Sequence, residues 1–298
     1  MSESSSLRLL VTGASGQVGG ELLKILAPLG EVVASLRDGL DLSSPSSIQS
    51  CIRSIKPNWI VNAGAYTAVD KAESEPDLAY AINADAPRII GKEARAIGAS
   101  VIQFSTDYVF NGQGTTPYIE TDPTGPLGIY GASKLAGEQA LLATGTNAMI
   151  FRTSWVYGAT GKNFLRTILK LAREREELRI VADQHGAPTW SRDLAHLAAH
   201  VIRHCEANKT SSFTGTYHAA GSGETTWAGF AAEAVRQSRE RHPSTPFANI
   251  TGIPTSEYPT PASRPQNSRL NCTKLTSTFG WKMPDWHDSL TQVLGELE

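Results

Sequence analysis

Cysteine is nearly missing. Cys51, Cys205 and Cys272 are all that 298 residues contain. An odd, scattered set without metal or redox spacing excludes a disulfide scaffold and suits a reducing, cytoplasmic setting. Basic blocks are absent as well. The 27 Lys and Arg against 29 Asp and Glu leave a net charge of −2, so the footprint of a nucleic-acid partner is missing. No apolar run approaches the ~18 residues of a membrane span, and Met1-Ser-Glu-Ser-Ser-Ser6 lacks a signal peptide's basic and apolar regions. No membrane partner is expected. Charged residues, at 19%, fall below the ~25% norm, which argues for an ordered core.

What remains is glycine, with 26 residues, and a regular alternation of apolar patterns. Leu7–Thr12 reads as a strand, and Val18, Leu22, Ile25 and Leu26 keep helical spacing up to Pro28 and Gly30. Glu31–Leu36, Trp59–Ala63, Val101–Ser105 and Ala148–Thr153 read as further strands. Ser44-Pro45 opens a helix, Pro76–Ile97 holds one or two with Pro87 as an interruption, and Ser133–Leu142 is another. After residue 155 the alternation loosens. Helices are expected over Asn163–Arg175, Arg192–His204 and Trp227–Gln237, with short strands at Leu178–Val181 and Gly215–Ala219. The proline-rich stretch His242–Leu270 is expected to be irregular but packed through Ile250, Ile253 and Tyr258. The expected fold is α/β: a Rossmann-type doubly wound parallel sheet over residues 1–155, with a smaller mixed α/β C-terminal lobe over 156–298. That lobe is discontinuous, a stretch near 188–220 returning to the sheet.

Three motifs carry chemistry. Gly13-Ala-Ser-Gly16-Gln-Val-Gly19 lies between a strand and a helix, where glycines let a pyrophosphate approach the free N–H groups of the helix start. Gly13, Ser15, Gly16, Gln17, Val18 and Gly19 are therefore cofactor candidates. The second strand ends Ala34-Ser-Leu-Arg37 without the acid that would hold a ribose 2′-hydroxyl. Arg37 either pairs with a 2′-phosphate, favouring NADPH while leaving NADH possible, or is a solvated cation. Asp41 and Leu42 follow at the adenine's expected place. Tyr130-Gly-Ala-Ser-Lys134 sets a phenol and an ammonium on one helix face. Thr106 ends the strand before them, at the edge where parallel sheets bind ligands. A nearby Lys⁺, together with a positive nicotinamide once oxidised, is expected to stabilise the phenolate and bring the phenol's pKa toward the working pH.

Together these features resemble the extended short-chain dehydrogenase/reductase family. Its 4,6-dehydratase members carry Thr-Asp-Glu after this strand, whereas Thr106-Asp107-Tyr108 puts a tyrosine in the glutamate's place. Elimination chemistry is thereby disfavoured. Val61–Pro76, Phe151–Tyr157, Asp183–Thr189 and Tyr258–Leu270 are similar to the dTDP-4-dehydrorhamnose reductase branch. The resemblance implies NADPH-dependent reduction of the C4 ketone of a dTDP-4-keto-6-deoxy sugar, giving dTDP-L-rhamnose. In that scheme the nicotinamide delivers hydride, Tyr130 protonates the developing alkoxide, Lys134 holds the nicotinamide ribose, and Thr106 hydrogen-bonds the carbonyl.

By the same resemblance Asn62, Ala63 and Ala65 border the cofactor, and Thr67, Val69, Asp107, Tyr108 and Trp155 line the sugar pocket. Trp155 is equally readable as core. Arg264 and Asn267 are candidates for the nucleotide diphosphate, with a structural ion pair the alternative for Arg264. Some relatives are described as holding a divalent ion at a dimer contact through glutamates. Glu21 suits that, but Arg192 stands where a second acid is wanted, so no metal is expected and a homodimer is left open. His196, His200 and His204 lie mostly off the apolar face of their helix and read as a boundary stripe. Two other functions keep this fold: a ketoreductase for another 4-keto-6-deoxy nucleotide sugar, and a non-catalytic NADP-binding regulatory subunit like that of methionine adenosyltransferase.

Overall fold

Apolar runs too short for helices, bounded by glycine or proline, become the strands of one buried sheet. The computed structural model describes residues 7–34 and 39–297. Its first half sets strands β1 (Leu7–Thr12), β2 (Gly30–Ala34), β3 (Trp59–Asn62), β4 (Ser100–Thr106) and β5 (Ala148–Thr153) among helices. These are α1 (Gln17–Leu26), α2 (Pro45–Ile55), α3 (Val69–Ala72), α4 (Pro76–Tyr80), α5 (Ala86–Ile97) and α6 (Ile129–Leu142). The later chain gives β6 (Val156–Tyr157), α7 (Phe164–Glu174), β7 (Glu177–Val181), β8 (His185–Gly186), β9 (Thr189–Trp190) and α8 (Ser191–Ala207). It ends with β10 (Gly215–His218), β11 (Thr225–Thr226), α9 (Trp227–Arg241), β12 (Asn249–Ile253), α10 (Thr273–Phe279) and α11 (Trp286–Glu296).

The central sheet has six parallel strands in the order β2-β1-β3-β4-β5-β10. Alternate residues of each strand enter opposite cores, the two-residue period of a pleated strand. Leu9, Val11, Val61 and Phe104 pack with Leu22 of α1, Leu197 and Val201 of α8, and Phe279 of α10. Leu10, Ile60, Val101 and Ile150 pack with Ile48 and Ile52 of α2, Ile90 of α5 and Leu141 of α6. Cutting Leu10 back to alanine would cost about 2–5 kcal/mol. The chain leaves β1 toward β2 on one side and takes up β3 on the other, so the crevice opens at this switch point.

Several details depart from the sequence expectations. Pro87 does not interrupt the helical stretch. It sits in the first turn of α5, after a π-helical segment at Ala81–Asp85, where a missing N–H is tolerated. Helix α6 begins at Ile129, four residues before the expected Ser133, because Glu73 accepts the Ile129 N–H at 2.8 Å. Within His242–Leu270, β12 pairs in parallel with β7 and Ile253 is buried, but Tyr258 is 58% exposed. Helices α10 and α11 have no counterpart in the expected elements. Among the described residues no helix is long and apolar enough to cross a membrane.

Candidate active site

The strand-to-helix turn after β1 is built as a cradle. Gly13 has φ +65°, and a Cβ there would stand 2.6 Å from the Gly64 backbone. A Cβ on Gly19 would stand 2.0 Å from the Gly13 carbonyl oxygen. The turn closes through the Gly16 N–H to the Gly13 carbonyl at 2.9 Å, and α1 starts without a side-chain cap or an acid in its first turn. Its leading N–H groups are thus available to an anion. A crevice of about 840 Å³ runs from this turn past the ends of β3, β4 and β5, in the upper range of small-molecule sites. Its size and its glycine-lined turn fit a dinucleotide.

Farther along the crevice, Thr106 ends β4, Tyr130 lies in the first turn of α6, and Lys134 follows one turn later; all three face the opening. The Thr106 hydroxyl donates to Asp107 at 3.1 Å and accepts from the Tyr108 N–H at 3.2 Å. Burial pushes the Tyr130 phenol up to about 12, a hydrogen bond with Thr106 opposes this, and the charge of Asp107 adds to it. Lys134 is 5% exposed and donates to the Phe104 carbonyl at 2.7 Å. Burial brings its ammonium down to about 8, against the pull of Glu138. Burial thus sets the direction of the phenol's shift, upward. Burial also raises Asp107 to about 6, opposed by hydrogen bonds with Ser268 and Thr106. The Tyr108 ring meets the Tyr130 ring edge-on, centroids 5.4 Å apart.

Behind the wall, Glu138 accepts from Arg152 at 2.6 Å and from Ser105. Asn83, turned inward by the π-helical segment, accepts the Tyr66 N–H at 2.9 Å and donates to Ser133 at 3.1 Å. It thereby joins the loop after β3 to α6.

The structure places Gly13, Ser15, Gly16, Gln17, Val18, Asp41, Leu42, Ala63 and Ala65 on the crevice wall, together with Thr67, Val69, Asp107, Tyr108 and Trp155. Four expected contacts stand off it. Gly19 is spent on the close approach of α1 to the Gly13 turn. Asn62 is buried in the sheet, accepting from Thr12 and donating to Gln103 at 2.6 Å. Asn267 donates to the Thr116 carbonyl at 2.8 Å and accepts from Arg269 at 2.8 Å. Arg264 is paired with Asp70 at 2.8 Å, though its charge still opposes the upward push of burial on Tyr108. Arg37 lies outside the described residues.

Sequence reasoning missed Gly64, Thr153, Ser154, Lys162 and Trp227, all on the wall. Trp227 stacks on Trp155 with centroids 3.8 Å apart and planes 17° from parallel. Trp155 also holds a left-handed φ of +48°, so it is both packed and on the wall. Nothing local marked Trp227; only its stacking on Trp155, at the start of α9, brings it there. Arg192 binds Glu21 at 2.8 Å and also pairs with Glu296, placing a guanidinium between two carboxylates. His200 contacts the Phe279 carbonyl at 2.7 Å.

The RmlD substrate binding domain family matches residues 7–298. A dTDP-4-dehydrorhamnose reductase from Burkholderia thailandensis is 48% identical over 98% of this chain and 99% of its own. One from Escherichia coli K12 is 47% identical, covering 98% of each. Among solved structures, a dTDP-4-dehydrorhamnose reductase from Bacillus anthracis in complex with NADP superposes with a TM-score of 0.90 at 35% identity. It covers 98% of this chain and 99% of that one.

Proposed function

Because the chain belongs to the RmlD substrate binding domain family, we propose that it is an NADPH-dependent oxidoreductase. It reduces the C4 ketone of dTDP-4-dehydrorhamnose (dTDP-4-dehydro-6-deoxy-L-mannose) to dTDP-L-rhamnose. The observation that carries this reading is the convergence of Thr106, Tyr130 and Lys134 on one crevice with the Gly13–Gly16 turn. We assign residues 1–155, with the stretch 188–220, to the cofactor and the rest of 156–298 to the sugar nucleotide.

The Gly13–Gly16 turn and the start of α1 would hold the dinucleotide's diphosphate, and Asp41, Leu42, Ala63 and Ala65 its flanks. NADPH, when bound, supplies the hydride that C4 gains. Tyr130 supplies the proton. Its phenol, raised to about 12, keeps that proton throughout the neutral range, so it serves as an acid in the direction of ketone reduction. Thr106, its hydroxyl proton turned from Asp107, donates to the same oxygen and stabilises the charge developing there. Lys134, held by Phe104, is positioned for the nicotinamide ribose. Thr67, Val69, Asp107, Tyr108 and Trp155 surround the sugar.

Stereochemical assignment of the reduced sugar nucleotide tests the reading. Purified protein supplied with NADPH and the keto sugar should yield the rhamnose configuration at C4. An epimeric product would keep the ketoreductase but change its sugar, and dinucleotide binding without turnover would leave a regulatory subunit.

A further inference from the structure

The loop 158–163 leaves β6 and folds back over the start of α1. One side chain holds it there. Asn163 caps α7 by accepting the Arg166 N–H at 3.0 Å, and its Nδ2 donates to Gln17 Oε1 at 2.8 Å. The same nitrogen donates to the carbonyls of Gly158 at 2.9 Å and Thr160 at 3.2 Å. Gly161, with φ +73°, packs so closely that a Cβ would stand 3.0 Å from Gln17 Cγ. The next residue, Lys162, joins the crevice wall that Gly13, Ser15, Gly16 and Gln17 also form. It is exposed, with no hydrogen-bond or acidic partner among the described residues. The wall's other ammonium, Lys134, is already engaged by Phe104.

We infer that Lys162 is a cationic contact for the diphosphate of the bound dinucleotide, an inference that rests on the cofactor reading above. The start of α1 offers N–H donors with no acid in the first turn to compete for them. Lys162 is brought to the same end of the crevice from the later part of the chain. An ammonium on a flexible stem suits phosphate as a point charge, without the fixed geometry of a guanidinium. A sugar nucleotide carries a diphosphate too. The tether from Asn163 to Gln17 assigns Lys162 to the one seated on the glycine turn.

The test is Lys162→Ala in the full-length chain, with NADPH and NADH binding followed by fluorescence at low and raised salt, sugar nucleotide absent. Both dinucleotides should bind roughly three- to tenfold more weakly at low salt, the deficit should shrink as salt screens the contact, and Lys162→Arg should restore binding. The melting temperature, unchanged, certifies the fold. Unaltered dinucleotide affinity overturns the assignment. So does a loss confined to NADPH, which would mark a 2′-phosphate contact. Wild-type protein that binds neither dinucleotide removes the cofactor reading itself, whereas a binding wild type beside an indifferent variant sinks only Lys162.

Discussion

Lys134 donates its ammonium to the Phe104 carbonyl at 2.7 Å, fastening the second turn of α6 to the end of β4. The contact fixes where Tyr130, four residues earlier, presents its phenol. The two groups titrate in a definite order. Burial lowers Lys134 to about 8 and raises Tyr130 to about 12, so a rising pH discharges the ammonium long before the phenol.

Turnover should therefore decline on the alkaline side with a midpoint near 8, and Lys134→Arg should move that limb upward because a guanidinium stays charged. The pH profile of kcat/KM reads this out. A wild-type profile flat to about pH 10 would speak against it.

Arg192 between Glu21 and Glu296 makes a second prediction. Burial alone raises Glu21, but the hydrogen bond and charge of Arg192, with help from Lys24, outweigh it and hold the carboxyl below its ordinary value. A carboxyl lowered in the folded state stabilises above its unfolded pKa, and that stability fades as pH falls through the folded value. Arg192→Ala should cost about 1–3 kcal/mol at neutral pH, leaving Glu21 buried without its partner. The difference in melting temperature between wild type and variant should narrow toward about pH 3. A constant difference across that range would show that the pair's charge contributes nothing.

Arg37, outside the described residues, follows a second strand that supplies no acid for a ribose hydroxyl. Arg37→Ala should weaken NADPH more than NADH. Dissociation constants for the two cofactors decide it, and an unaltered ratio would refute the phosphate contact.

The Gly13–Gly19 turn, the strand end at Thr106 and the Tyr130–Lys134 spacing were legible because each is encoded within a few residues beside a strand of strong apolar pattern. Arg264 was harder. Whether its guanidinium meets a ligand or Asp70 depends on the return of the 258–270 stretch to α3, a contact across 194 residues. Resemblance alone put Asn62 at the cofactor edge, and its amide is consumed by Thr12 and Gln103 on neighbouring strands. Trp227 and Lys162 reach the crevice through packing of the later helices, and no spacing rule reports that. Helix α10 escaped because its seven residues supply only two buried anchors, Leu275 and Phe279.

Steady-state oxidation of NADPH by the Tyr130→Phe variant, with the dTDP-4-keto sugar present, bears most directly on the proton-donor role at the centre of this account. Turnover should fall by about 10²-fold or more while NADPH still binds as in the wild type. Turnover close to that of the wild type would contradict the account and send the search for the acid elsewhere in the crevice.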